Sequence, residues 1–162
     1  MKANHRQQWS IGDLFAIRLL DGTYSIGQVL DVPMPNVASC AFFDQLIDMP
    51  KLPEPIHIAV DNIIGTASVV PAHLDRSVWK VFARAPVVLA PNQWPNEKTR
   101  NNSWVGAKVH SGAIVEDFLN AYRGLLPWDD YHDPEYLDKL LFSPSKKPTQ
   151  LVYKNHAKNI VK

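Results

Sequence analysis

Gly12-Asp13-Leu14-Phe15-Ala16-Ile17-Arg18-Leu19-Leu20-Asp21-Gly22-Thr23-Tyr24-Ser25-Ile26-Gly27-Gln28-Val29-Leu30 reads as two β-rich runs joined at Asp21-Gly22. Asp-Gly between such runs is the favoured chemistry of a tight primed turn, in which both central residues take positive φ. The stretch therefore predicts a hairpin. With a period of two, Phe15, Ile17 and Leu19 share one face and Leu14, Ala16 and Arg18 the other, and the first is the expected core face. Gly27 weakens a strand unless it serves a bulge, a bend or a close backbone approach at a barrel corner.

Working outward, residues 37–43 alternate little, which predicts a central strand or one buried on both faces, with Cys40 inside it. Residues 44–55 carry Pro50, Pro53 and Pro55 and predict an excursion from the sheet. Residues 56–60 and 78–83 predict a fourth and a fifth strand, and 63–75 a short strand plus loop. Residues 87–90 read as an edge strand after Pro86, 91–102 as a polar surface loop, and 104–109 as a further strand.

The last third changes character. Ser111 can cap a helix whose apolar residues Ile114, Val115, Phe118, Leu119 and Tyr122 recur at helical spacing, with Gly124 as terminator. Asp133-Pro134 is a second start signal, followed by the stripe Tyr136, Leu137, Leu140 and Leu141, with Glu135 and Lys139 spaced for an i,i+4 pair. The expected fold is α+β and mainly β. A strongly twisted antiparallel sheet or half-open barrel carries two C-terminal helices, near 113–123 and 134–141, packed on it. One domain spans 1–142, and 143–162 is a polar, lysine-rich tail with a short strand at 150–153.

Composition agrees with a single core. A chain of 162 residues buries about 70% of its unfolded surface, and 46% hydrophobic with 20% charged residues excludes global disorder. The 17 Lys plus Arg against 16 Asp plus Glu leave a formal charge of +1, so no whole-protein field draws in nucleic acid or anionic lipid. The single cysteine excludes an internal disulfide and a cysteine-rich zinc site. No signal-type or membrane-spanning apolar run is present, and the expected location is the cytoplasm.

Four chemistries compete for the polar residues. Cys40 as a nucleophile needs an activating base, and His57 on the next predicted strand is the one candidate; a buried packing cysteine is the favoured reading. Asp129, Asp130, His132 and Asp133 offer metal-ligating atoms, but without the spacing of an EF-hand or a helical His pair, so no metal and no cofactor is expected. Trp94, Lys98, Arg100 and Trp104, with Lys146, Lys147, Lys154, Lys158 and Lys162 behind them, mix bases and aromatics as single-strand binders do. That makes a small-barrel nucleic-acid-binding protein the alternative reading. The segment around Trp128, Asp129, Asp130, Tyr131 and Asp133 combines acids and aromatics with no Lys or Arg before Lys139, which suits either a basic protein partner or a lock between the two helices.

The blocks Gly12-Asp13-x-Phe15-Ala16-Ile17, Asp21-Gly22-x-Tyr24-x-x-Gly27-Gln28-Val29-Leu30, Cys40-Ala41-Phe42-Phe43-Asp44 and Trp79-Lys80-Val81 resemble, in order and spacing, the immunity protein 26 family of bacterial polymorphic toxin systems. The resemblance covers roughly residues 11–86. Phe82-Ala83-Arg84 departs from it where a glycine is expected, and the tail after Phe142 has no counterpart. It implies a mostly β domain without enzymatic activity, which binds and occludes the cognate toxin domain encoded beside it. On that reading the expected toxin contacts are Trp128, Asp129, Asp130, Tyr131 and Asp133.

Overall fold

The alternating front of the chain forms strand β1 (Asp13–Arg18), paired antiparallel with β2 (Tyr24–Met34) so that Phe15 lies opposite Gly27 and Arg18 opposite Tyr24. These positions come from a computed structural model, which describes residues 6–48, 56 and 58–154. The hairpin connection is longer than the primed turn expected. Gly22 N donates to Leu19 O at 3.0 Å and Leu19 N donates to Thr23 O at 2.8 Å, the pattern of a three-residue loop closed by a glycine in the left-handed region. Gly22 takes φ +87° and Asp21 stays out of positive φ. Asp21 instead accepts hydrogen bonds from the Thr23 amide and hydroxyl at 3.0 and 2.7 Å, a local bond typical of turn aspartates.

Strand β3 (Val37–Ile47) follows β2, β4 is Ile63–Val69, β5 is Lys80–Arg84 and β6 is Val109–His110. The sheet order is β5-β1-β2-β3-β4-β6, antiparallel except for the parallel β4–β6 pair, and the sheet is not closed into a barrel. Cross-strand partners share a face, and the registers put Val81, Phe15, Gly27, Phe42 and Gly65 in one row across five strands. Aromatic and glycine alternate along that row for a steric reason. A Cβ on Gly27 would stand 2.4 Å from the Phe15 ring, and one on Gly65 would stand 2.8 Å from the Phe118 ring. Each glycine makes room for an aromatic ring laid over the sheet, as aromatic residues do for strand glycines elsewhere. The expected close approach at Gly27 is thus to a side chain.

Both faces of the sheet are covered. Phe15, Ile17, Val29, Cys40 and Phe42 pack under helix α2 (Gly112–Tyr122) through Val115, Phe118 and Leu119, with Trp79, Trp128, Leu137 and Leu140 completing that layer. Leu14, Ala16, Ile26, Leu30, Ala41, Phe43 and Ile63 form a second core around Leu89, sheltered by Val87, Val88, Trp94 and Phe142. The face of Leu14 and Ala16 is therefore also a core face. A sheet buried on both sides has no need of strict alternation, which explains the continuous apolar run of β3.

α2 begins and ends at the expected signals: Ser111 Oγ accepts from Ile114 N at 3.4 Å, and Gly124 follows with φ +78°. Several other expectations are corrected. Residues 44–47 belong to β3, where Tyr24 pairs with Ile47; the prolines that break the chain come later. Residues 49–55 and His57 lie outside the described residues. Residues 56 and 58–60 are not strand, and Val60–Asn62 is a 3-10 turn leading into β4. A short helix α1 (Ala72–Asp75) precedes β5. Residues 87–90 make no ladder, because Val88 N donates to the Gln28 side chain at 3.2 Å. Residues 104–108 cannot be strand, since Ser103 and Trp104 take φ +52° and +63°.

The second C-terminal helix is replaced by a 3-10 turn, Tyr136–Leu140, which buries Leu137 and Leu140. An i,i+3 pair is the natural apolar spacing of that tighter turn. The chain then leaves it as Phe142 N donates to Ile64 O at 2.9 Å. Lys139 pairs with Asp133 at 3.1 Å instead of the expected Glu135. Residues 151–153 are not strand, although Trp128 N donates to Val152 O at 2.8 Å and Leu151 and Tyr153 pack on the core. No helix among the described residues is long and apolar enough to cross a membrane.

Candidate functional site

The residues that carry the family resemblance hold the scaffold together. Asp13 accepts from Ser10 N at 2.8 Å and from Arg84 Nε at 3.0 Å, which ties the chain before β1 to the end of β5. Gln28 is fully buried. Its Nε2 donates to Ala85 O and Pro86 O, both at 3.1 Å, and to Gly12 O at 3.3 Å, while its Oε1 accepts from Val88 N. One carboxamide thus replaces a missing strand and fastens residues 85–88 to the sheet. Its signal in the sequence was a lone amide inside an apolar strand.

A groove of about 570 Å³ opens between the tip of the β1–β2 hairpin and α2. Leu20, 66% exposed, and Leu126 form its apolar walls, while Glu116 and Asp117 supply acid and Arg18 lies at its edge. Leu20 N donates to Asn120 Oδ1 at 2.8 Å, so the hairpin tip is fixed to the helix. Both acids are also held. Asp117 Oδ2 accepts from the Tyr131 hydroxyl at 2.6 Å, and Glu116 accepts from the Trp79 indole at 3.3 Å and faces His73 Nε2 at 3.4 Å. Burial, followed by the bond to Asp117, pushes the Tyr131 phenol well above its ordinary range.

The five residues expected at a partner surface lie in different settings. Trp128 is buried in the core, its indole N–H donating to Asp138 Oδ1 at 2.8 Å, and it offers no face to a partner. Asp129 is nearly enclosed and accepts from Lys154 N at 2.5 Å. Asp130 is exposed and pairs with Lys154 Nζ at 2.8 Å. Tyr131 is half-buried and joins the segment to the hairpin–α2 groove through Asp117. Asp133 accepts from Glu135 N at 2.9 Å; that bond, then Lys139, holds its carboxyl below the usual range. Among the described residues no group of three or more His, Cys, Asp and Glu side chains is placed to hold a metal ion.

Along β4 and β6, at one edge of the sheet, a cleft of about 370 Å³ is bounded by Thr66, Ser68, Asn96, Lys108, His110, Tyr136 and Lys139. Asn96, in the left-handed region at φ +63°, is its staple. It donates to Ser68 Oγ and Lys108 O at 3.0 and 2.7 Å and accepts from Lys108 N at 2.8 Å. His110 Nδ1 lies 3.1 Å from the Tyr136 hydroxyl. A second cleft of about 440 Å³, lined by Trp94, Lys98 and Phe142 among others, shares Thr66 and Asn96 with the first. Sequence reasoning found Trp94 and Lys98 but missed Asn96, Lys108, His110 and Tyr136, which the topology gathers from three separate segments. Of the other expected nucleic-acid contacts, Arg100 lies over the Trp104 ring at 4.6 Å and pairs with Asp31 and Glu97 at 2.9 and 2.7 Å. Lys146, Lys147 and Lys154 bond Asp61 O, Asp138 and Asp130; Lys158 and Lys162 lie outside the described residues.

Cys40 is fully buried, and burial pushes its thiol far up, away from the thiolate. Its suggested partner, His57, is outside the described residues.

No protein-family model matches this chain, and neither a curated protein nor a solved structure matches it.

Burial, and secondarily the charge of Lys108, holds the His110 imidazole below its ordinary value. Lys108→Gln is expected to raise that pKa, because one fewer cation opposes the imidazolium. Burial persists, so the value should stay below the ordinary ~6.5. NMR titration of the imidazole checks this, and an unchanged pKa shows that the two groups do not interact. The depressed pKa means that the unfolded chain takes the proton first, so this histidine costs stability as pH falls through about 6.5.

Proposed function

We propose that this chain is an immunity protein of the immunity protein 26 type, acting in the cytoplasm by binding a cognate toxin domain and occluding it, without catalysis. The observation that carries this reading is the hairpin–α2 groove, where apolar Leu20 and Leu126 flank Asp117 and Glu116, whose positions are fixed by Tyr131 and Trp79. Pre-positioned acids beside exposed apolar groups suit a basic protein surface, because the side chains lose little freedom on binding. The blocks that suggest the family support the same reading from the other direction, since Asp13, Gly27 and Gln28 serve the scaffold and leave the surface free for a partner. Of the segment first expected to bind, Asp130 and Tyr131 extend the groove as contacts. Trp128 and Asp129 are buried beneath the surface, and Asp133 is held by the Glu135 amide and Lys139 at the start of the next turn.

The test is co-expression with the toxin domain encoded in the neighbouring gene. Restored growth and co-purification of the two proteins are expected; a folded protein that neither rescues growth nor binds overturns the proposal. The surface has its own test. Asp117→Asn combined with Asp130→Asn keeps an acceptor for the Tyr131 hydroxyl and removes two charges. Association with the toxin should slow about tenfold at low salt, with melting temperature nearly unchanged. An unaltered on-rate would place the interface elsewhere. Asp129 is left intact in this comparison because its carboxylate binds the Lys154 amide.

A further inference from the structure

We propose that the paired clefts along β4 form a binding site for a nucleoside monophosphate, with the phosphate beside Lys108 and His110 and the base beside Trp94. This site shares no lining residue with the hairpin–α2 groove and does not depend on the immunity reading.

The argument starts from charge. Lys108 is exposed and has no carboxylate partner among the described residues. Across the same cleft stands Lys139, whose ammonium is shared with Asp133 at 3.1 Å. The hydroxyl of Tyr136 and the imidazole of His110 supply neutral hydrogen-bonding groups between these cations. Two lysines and the one donor proton that the mutually bonded His110–Tyr136 pair has left over face a concave space, which favours a compact oxyanion, because charge-assisted hydrogen bonds to phosphate are among the strong ones. A carboxylate could use the first cleft as well, but it would leave the second one empty.

The second cleft decides the class. It meets the first at Thr66 and Asn96, so one ligand can occupy both. Trp94 is half-buried there, with its indole N–H committed to Leu89 O at 2.9 Å, which fixes the ring as a stacking surface. Lys98, also without an ion-pair partner among the described residues, stands beside it. An aromatic surface next to a phosphate-binding lobe suits a planar base on a sugar phosphate. Asn96 holds the corner between the lobes through three hydrogen bonds to β4 and the Lys108 backbone, so the shape exists before a ligand arrives.

The experiment titrates the full chain with adenosine 5′-monophosphate by calorimetry and locates binding by NMR. Saturable one-to-one binding is expected, with shifts at the Asn96 and Lys108 amides and the Trp94 indole. Lys108→Ala, an exposed position whose loss should leave the melting temperature unchanged, is expected to weaken binding about tenfold. Lys80→Ala, on the far edge strand, should change nothing. Absence of saturable binding overturns the proposal, as does equal affinity in the Lys108→Ala variant. Inorganic phosphate binding as tightly as the nucleotide would remove the role of Trp94 and overturn it too. Much tighter binding of a short oligonucleotide would make the edge a nucleic-acid surface and likewise overturn the small-ligand reading.

Discussion

Trp79→Ala should destabilise the domain by roughly 3–5 kcal/mol, the cost of emptying a large aromatic site that cannot collapse. Trp79 is fully buried and stacks on Phe15 with ring centroids 5.3 Å apart and planes 6° from parallel. It also meets Phe42 edge-on at 6.2 Å and His73 at 5.3 Å. Phe15 in turn covers Gly27, so removing the indole takes the support from the ring that closes the transverse row. The indole N–H to Glu116 is lost as well, which frees one of the two groove acids. For a chain of this length the melting temperature should fall on the order of 10 °C. Trp79→Phe, which keeps a ring, should recover much of that loss. A drop of only a degree or two in the alanine variant would show that the stack is not a keystone.

The second large effect is expected at Gln28. Gln28→Leu keeps a side chain of similar size but strips the carboxamide from Ala85 O, Pro86 O and Val88 N, while Gly12 O retains the Ala85 amide at 3.0 Å. Unpaired buried backbone groups cost about 1–3 kcal/mol each, and relaxation of residues 85–88 into water should cap the loss near the upper end of one such group. Hydrogen exchange should report that relaxation as lost protection at Val88 and Ala85. Gln28→Glu sharpens the case, because a carboxylate facing three carbonyl oxygens cannot donate. Burial raises the pKa of such a group, so this variant should be least stable above that pKa and regain stability as acid returns the proton. Stability that is flat with pH would show that the side chain escapes to solvent.

These two residues also show what could be read from sequence and what could not. The hairpin, the central strand around Cys40 and the capped helix after Ser111 were legible, because each is specified by local chemistry: a turn pair, an apolar run, a cap and a glycine stop. Strand β4, Ile63–Val69, was legible only as a short strand without fixed ends inside residues 63–75. Its Gly65, Ala67 and Ser68 carry little strand propensity, and position 65 is a glycine because Phe118 and the Leu140 carbonyl press against it. The turn at Tyr136–Leu140 resembled a helix because Asp133-Pro134 is a good start signal; pairing of Phe142 with Ile64 then draws the chain back to the sheet. The β4 clefts were illegible for a similar reason. Their polar groups come from β4, β6 and two loops, and no window of sequence holds them together.

Cys40 offers an experimental opportunity of a different kind. It is the single thiol of the chain and lies at the middle of the central strand with no exposed surface. A reagent can reach it only when β3 parts from its neighbours. The rate of its labelling in native buffer is therefore a clock for rare opening of the sheet, available without introducing any probe. Partner binding at either edge that stiffens the whole sheet would slow that clock, whereas binding that stiffens only a loop would leave it running at the same pace.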